Sequence, residues 1–352
     1  MADEIFSRDG MLSRSTLLRH TLAALVGLGL LYALINGMGD YRNSQLAPIA
    51  FTVCAAAGLT LLVGQSGQIS LGHGAFMAVG AYTFALIQEH WRTSHGNLEL
   101  IGLLAAAAVG AAVFGAFVGV AAARLRGPYL AGATLTLALG LPSLATYEHL
   151  TKQLGGNAGL LVVSPNPPTG SIDIYRWQSV ICCVSAVVVL WFVANVSRSR
   201  VGRSFRAVRD DEIAASLCGL SVARVQVLAF VISAACAGVA GGLLAIIDLT
   251  AGPQAFPLSL SFGLLAAVVF GGLGSLAGAV YGSILVVLLP VWSQDLTDAL
   301  SVHSVKVSNN MPLMVYGVVL AVAMLAAPNG VQGVVRRLGS GIKRLAIPSE
   351  ET

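Results

Sequence analysis

Gly64-Gln65-Ser66-Gly67 sets a serine between two glycines, and His73 follows seven residues after that serine. A serine and a histidine within hydrogen-bond reach make a nucleophile and its base, the pairing used in acyl transfer. Serine hydrolysis inside a membrane brings that base from a separate, later helix. The later hydrophobic runs here hold no histidine apart from His149, at the edge of one. That placement argues against a hydrolase. The same stretch has two other readings. Gln65, Ser66, Gln68 and Ser70 could line a polar cavity at a glycine-rich break, since non-helical backbone at membrane depth must be buried or face water. Alternatively, the glycines only let helices approach closely. His73 is the one titratable group well inside a hydrophobic run, so it is either a hydrogen-bonded packing residue or a contact for a solute.

A second segment carries most of the charge. Arg198 to Arg224 holds six arginines against three acids, Asp210, Asp211 and Glu212. Ile213, Leu217 and Leu220 follow at helical spacing, which predicts a short helix with an apolar stripe. The acids lie at its N-terminus, where the helix dipole favours them, and Gly219 is placed to end it. Such a helix could lie on lipid headgroups or dock on a cytoplasmic partner. The arginines precede the stripe instead of running along it, which favours docking.

Other chemistry is excluded by what is missing. The three lysines (Lys152, Lys306, Lys343) lie in no GxxxxGK[ST] context, so the chain has no P-loop. The five cysteines show no CxxC spacing, which supports neither a zinc site nor a disulfide framework.

The elements that carry these segments follow from composition. Only 10% of the 352 residues are charged, 56% are hydrophobic, and the mean hydropathy is +0.80. Soluble domains carry about 25% charged residues, so this is a membrane chain. A charge at mid-bilayer costs about 2.5–3.5 kcal/mol, so charge-free stretches mark the spans. His20–Gly39, Leu100–Ala123, Gly127–Tyr147, Trp177–Ser197, Val225–Ile247 and Val307–Val335 each suit one helix. Asn43–Gln88 and Leu249–Gln294 run for 46 residues each, room for two spans apiece. Gly64–Gln68 breaks the first and Gly271–Ser275 the second. The expected architecture is an all-α polytopic helix bundle with about ten transmembrane segments and glycine-rich breaks. Gly238/Gly242 and Gly274/Gly278/Gly282 recur every four residues, which predicts helix contact faces.

The positive-inside rule agrees with ten spans. With both termini cytoplasmic, fifteen of the twenty Arg and Lys residues fall inside, including Arg336, Arg337, Lys343 and Arg344. The expected organisation is a cytoplasmic segment at 1–15, a transmembrane domain at 16–335 with an inner loop at 198–226, and a cytoplasmic tail at 336–352. No small-x-small cleavage site precedes Asp40, so the first run is expected to be a retained anchor.

Several of these stretches carry a resemblance. Residues 206–219 (Arg-Ala-Val-Arg-Asp-Asp-Glu-Ile-Ala-Ala-Ser-Leu-Cys-Gly), Leu228–Ala234 and Ala237–Leu243 closely resemble branched-chain amino-acid ABC transporter permeases of the LivM type. Gly64–Phe76 and Phe270–Gly278 are similar to that family's early and late glycine-rich stretches. Gly155–Leu160 and Pro328–Val331 are shorter matches. The resemblance spans roughly 64–331 and implies an importer permease of the bacterial inner membrane. Its partners would be two ATP-binding subunits, a second permease subunit (similar or identical) and an extracytoplasmic solute-binding protein. ATP and magnesium would sit on the partners, with no cofactor in this chain and no nucleic acid. The resemblance also gives Arg206, Arg209, Asp210, Asp211, Glu212, Ala214, Ala215, Leu217 and Gly219 an ATPase-coupling role. The EAA order of importer loops is interrupted here by Ile213, between Glu212 and Ala214-Ala215.

The cargo implied is a small amino acid, with urea or short amides as the alternative. A self-sufficient secondary transporter is the rival class. It normally uses intramembrane carboxylates, and no Asp or Glu lies deep in a predicted span.

Overall fold

The computed structural model describes residues 2–90, 97–125, 127–165, 167, 173–301, 317–318 and 330–333. Long runs of Ala, Leu and Val without charge satisfy their backbone only as helices in a membrane, and helices are what form. They are α1 (Ala2–Gly37), α2 (Asp40–Leu59), α3 (His73–His90), α4 (Asn97–Ala122), α5 (Pro128–Ala145) and α6 (Glu148–Leu154). After these come α7 (Ile174–Arg198), α8 (Arg200–Asp210), α9 (Glu212–Leu217), α10 (Val222–Asp248), α11 (Leu258–Gly271) and α12 (Leu276–Ser301). Among the described residues the strands are two short pieces, β1 (Leu160–Leu161) and β2 (Thr250–Ala251), paired antiparallel. The fold is all-α and polytopic.

Among the described residues, seven helical stretches are long and apolar enough to cross a membrane: Leu17–Gly37, Arg42–Gln65, Glu99–Ala122, Pro128–Ala145, Ile174–Arg198, Val222–Asp248 and Pro253–Gly271. Helix α3 and the apolar part of α12, Leu276–Trp292, occupy the second halves of the two 46-residue runs. The last expected span, Val307–Val335, and the C-terminal tail lie outside the described residues, apart from 317–318 and 330–333. Helix α1 begins at Ala2, well before the charge-free run at His20.

Helix α10 is the centre of the bundle and packs against α2, α3 and α4. Its Ala237–Ile246 stretch is buried apart from Val239, and glycines set the spacing there. A Cβ on Gly241 would overlap the carbonyl of Met77 in α3, and one on Gly80 would overlap the backbone of Gly238. Gly242 lies 3.2 Å, measured from an ideal Cβ, from the side chains of Leu104 and Phe84. Gly278 and Gly282 sit in the same way on the backbones of Gly271 and Ala267, joining α12 to α11. Gly238, Gly242, Gly278 and Gly282 lie on contact faces, as their spacing predicts, whereas Gly274 falls in the turn before α12, at φ +81°, and meets Gly64. Close approach of this kind replaces hydrophobic burial as the association force where lipid is the solvent.

The two ends of the bundle are built differently. At one, Gly64 meets Gly274, and Gly330 rests on Gly272. The α7–α10 connection reaches the same place. At the other, β1 pairs with β2 and the Gln88 amide is bonded both ways to the Val163 backbone, at 2.9 and 3.0 Å. This grouping is what alternating passes require: both glycine breaks share an end with the arginine-rich connection.

Candidate functional site

The break after α2 begins as a change of helical pitch. Thr60–Gln65 is π-helical, and Ser66 N–H reaches back to Leu61 O while Gln68 N–H reaches Leu62 O. Gly67 follows with φ +74°. The chain stays non-helical to Gly72, so the break is longer than its glycines alone suggest. Side-chain hydroxyls from other helices satisfy its backbone. Leu71 N–H donates to Thr134 Oγ1 on α5 (3.0 Å), and Gly74 N–H donates to Ser261 Oγ on α11 (3.0 Å). Local Ser70 Oγ accepts from Gly72 N–H.

All five residues singled out in this stretch are buried: Gln65, Ser66, Gln68, Ser70 and His73. Gln65 Nε2 donates to Ser197 Oγ at 2.7 Å, at the end of α7. Its Oε1, Ser66 Oγ and Gln68 Oε1 have no hydrogen-bond partner among the described residues. Each such buried atom costs about 1–3 kcal/mol. Three of them lie within four residues, a buried polar segment short of partners among the described residues.

His73 opens α3 in the middle of the bundle. Its Nε2 is 3.1 Å from Ser233 Oγ on α10, and that hydroxyl donates its proton to Gly58 O at 2.8 Å. The serine's proton is therefore spent, which assigns the Nε2–H tautomer to His73. The ring also stands edge-on to Phe76, 5.8 Å between centroids. His73 thus ties α2, α3 and α10 through Ser233. Ser66 makes no hydrogen bond to it, so no nucleophile–base pair forms.

The arginine-rich connection differs from the single short helix its sequence predicts. It forms two helices at an elbow. Helix α8 starts at Ser199, whose hydroxyl caps Gly202 N–H, and buries Phe205 and Val208. Val201, Phe205 and Val208 recur at i, i+4 and i+7, a stripe hidden among arginines that would have betrayed this helix. At the elbow Asp211 is extended (φ −158°), and its carboxylate caps α9 by accepting from Ile213 and Ala214 N–H at 2.8 and 3.0 Å. Gly219, at φ +82°, ends the turn as its type predicts. Leu220 falls past the end of α9, so the exposed stripe is Ile213 and Leu217, at 74% and 83% exposure. Ala214 is exposed and Ala215 is buried. Glu212 Oε1 accepts from Gln226 Nε2 at 3.0 Å, which joins α9 to the first turns of α10.

Two arginines of α8 point back into the bundle. Arg206 Nη1 donates to Ser197 O at 2.9 Å, and Arg209 Nη1 donates to Gly64 O at 2.6 Å. The Nε and Nη2 of Arg209 fork onto Asp210 Oδ1 at 3.1 and 2.9 Å. Nothing in sequence spacing signals Ser197, Ser233, Thr134 or Ser261 as partners, because each serves from a helix far along the chain.

This arrangement has known relatives. Residues 44–325 match the family described as branched-chain amino acid transport system / permease component. The chain is 31% identical over 303 residues to the high-affinity branched-chain amino acid transport system permease protein LivM of Escherichia coli, covering 79% of this chain and 69% of that protein. The LivM of Salmonella typhimurium is 32% identical over 267 residues, covering 68% of this chain and 61% of that one. The Escherichia coli permease protein LivH is 30% identical over 298 residues, covering 79% and 90%. No solved structure matches the chain. A buried glycine-rich break, a second break against it and an arginine-rich elbow at the same end all lie within the matched residues, and the chain belongs to the branched-chain amino acid transport system permease component family.

Proposed function

We propose that this chain is a permease subunit of an ATP-driven importer and that it forms part of the path for branched-chain amino acids. The observation that carries the reading is the elbow. Helix α9 presents Ile213 and Leu217 to solvent at the end of the bundle where both glycine breaks meet. Apolar side chains displayed outside the membrane on a capped helix suit a partner groove. In this reading the partners are two ATP-binding subunits that carry ATP and magnesium, a second permease and an extracytoplasmic binding protein. The chain itself holds no cofactor, and its termini and the elbow face the cytoplasm. Membrane lipid surrounds the exposed faces of α1 and α4.

The substrate class follows from charge. No Asp, Glu, Lys or Arg side chain is buried among the described residues. A path lined by Gln65, Ser66, Gln68 and Ser70, with His73 behind them, offers hydrogen bonds with no buried charged side chain among them. That suits a solute whose net charge is zero, since an ion needs an intramembrane counter-charge. Urea and short amides meet the same description, and the family membership favours amino acids.

Thiol labelling tests the path. Cys218 is the exposed native thiol, the other four being buried, so a Cys218→Ser background is clean. Cysteines placed at 65, 66, 68 and 70 in the assembled complex are expected to react with a water-soluble maleimide at rates that change on adding ATP. Unchanging protection at all four would return the break to plain packing. In the unmodified chain, Cys218 is expected to label from the cytoplasmic face alone; labelling from outside would invert the topology.

A further inference from the structure

The carbonyl of Gly64 is an unusual place for an arginine to bind. Within a regular helix Gln68 N–H would take it, but the π-turn sends that N–H to Leu62 O instead. Arg209 Nη1 supplies the partner at 2.6 Å, from 145 residues away in sequence. The arginine's stem lies against the same turn: a Cβ on Gly67 would stand 2.8 Å from Arg209 Cγ. Gly64 is also where the two breaks touch, its Cα flush against the backbone of Gly274. One side chain therefore grips the turn that holds both breaks together. It does so from a position two residues before Asp211, the residue that caps α9.

We propose that Arg209 is the positioning residue of a latch, which holds the Gly64–Gly67 turn shut against Gly274 and is released when a partner moves α9. This deepens the importer reading and rests on it. In the latched arrangement Gln65 and Ser66 are closed off, at 6% and 4% exposure. Asp210 orients the guanidinium through its fork, so a shift at the elbow moves the donor as well as its stem. Helix α8 is anchored independently by Arg206 on Ser197 O and by buried Phe205. The latch can then let go while the rest of the elbow keeps its seat. A role for Arg209 in docking alone would leave its guanidinium free for the partner, and here Nη1 is committed to Gly64 O while Nε and Nη2 are committed to Asp210.

The test uses the complete complex in lipid nanodiscs, without nucleotide, in a Cys218→Ser background carrying Ser66→Cys. Labelling of residue 66 by a water-soluble maleimide is expected to quicken about tenfold with Arg209→Ala, the size of one lost charge-assisted hydrogen bond. Recovery of the ATPase subunits is expected to stay unchanged, and ATP hydrolysis is expected to continue with less solute moved per ATP. Arg209→Gln, which keeps a stem over Gly67 and gives up the guanidinium, should show the same direction of change and serves if the alanine variant does not accumulate. An unaltered labelling rate in the accumulating variant would overturn the latch. So would loss of the ATPase subunits, which would make Arg209 a docking residue. Failure of the parent complex to retain ATPase subunits would instead sink the importer reading on which the latch depends.

Discussion

Leu217→Asp is expected to strip the ATPase subunits from the permease. Leu217 is 83% exposed on α9, beside Ile213 at 74%, so the described residues leave both open to solvent. In a docked complex each would fill an apolar groove, and burying one leucine contributes about 1.5–3 kcal/mol. A carboxylate there loses that term and adds a desolvation cost. Affinity should fall about 10- to 100-fold. The change leaves the chain's own fold alone: the Asp211 cap, the Glu212–Gln226 bond and buried Ala215 are all untouched. Accumulation in the membrane should therefore match the parent protein. Transport and solute-stimulated ATP hydrolysis should fall together, while the binding protein keeps its solute affinity. Co-purification decides the matter. A helix that merely rests on lipid would lose its membrane contact yet leave ATPase recovery undiminished, and that outcome would sink the docking assignment.

Gly241→Leu is expected to prevent the bundle from assembling. The substitution favours the helix itself by close to 1 kcal/mol, since glycine is the weaker helix former. Any loss must therefore come from packing. A Cβ at 241 overlaps the Met77 carbonyl, which belongs to α3's backbone and cannot rotate away. Overpacking costs about 1–3 kcal/mol where side chains can yield and more where they cannot. Gly80 and Gly238 form the adjoining contact, so parting α3 from α10 at one point opens the next. His73–Ser233, on the same helix pair, would be pulled apart with them. Gly140→Leu is the control, because nothing lies within 4 Å of its Cβ position. Size-exclusion profiles in mild detergent should show aggregate for the first and a single symmetric peak for the second. A monodisperse Gly241→Leu protein with the parent's thermal stability would refute the close-packed interface.

Much of the scaffold is legible in the sequence, for a physical reason. Charge in hydrocarbon is costly enough that charge-free runs must be helices, and α1, α2, α4, α5, α7 and α10 fall where such runs lie. The glycine breaks were legible because clustered glycines interrupt runs too long for one span, and the contact faces because glycine at a four-residue repeat has few other uses in a membrane. Less visible was how far the first break extends. Its far end is held by Thr134 on α5 and Ser261 on α11, which accept from Leu71 and Gly74 N–H, and those partnerships leave no local trace. Helix α8 is masked in the sequence by its arginines, between which Val201, Phe205 and Val208 carry the period. The Arg209–Gly64 bond could not be read at all. It needs a carbonyl orphaned by one distortion and an arginine aimed by another. Gln65, Ser66, Gln68, Ser70 and His73 are buried, yet sequence spacing could not separate a cavity lining from plain packing, nor say that His73 would spend its Nε2 on Ser233.

The central claim, that this chain conducts branched-chain amino acids under ATP drive, is tested most directly by reconstitution. The permease would be placed in proteoliposomes with its cognate second permease and ATP-binding subunits, with the solute-binding protein on the opposite face. Uptake of radiolabelled leucine is expected only when ATP and the binding protein are both supplied. Urea and acetamide are expected to remain outside under the same conditions. Leucine accumulation by this chain alone, driven by a proton or sodium gradient and indifferent to ATP, would contradict the account, as would ATP-driven uptake of acetamide or urea in place of leucine.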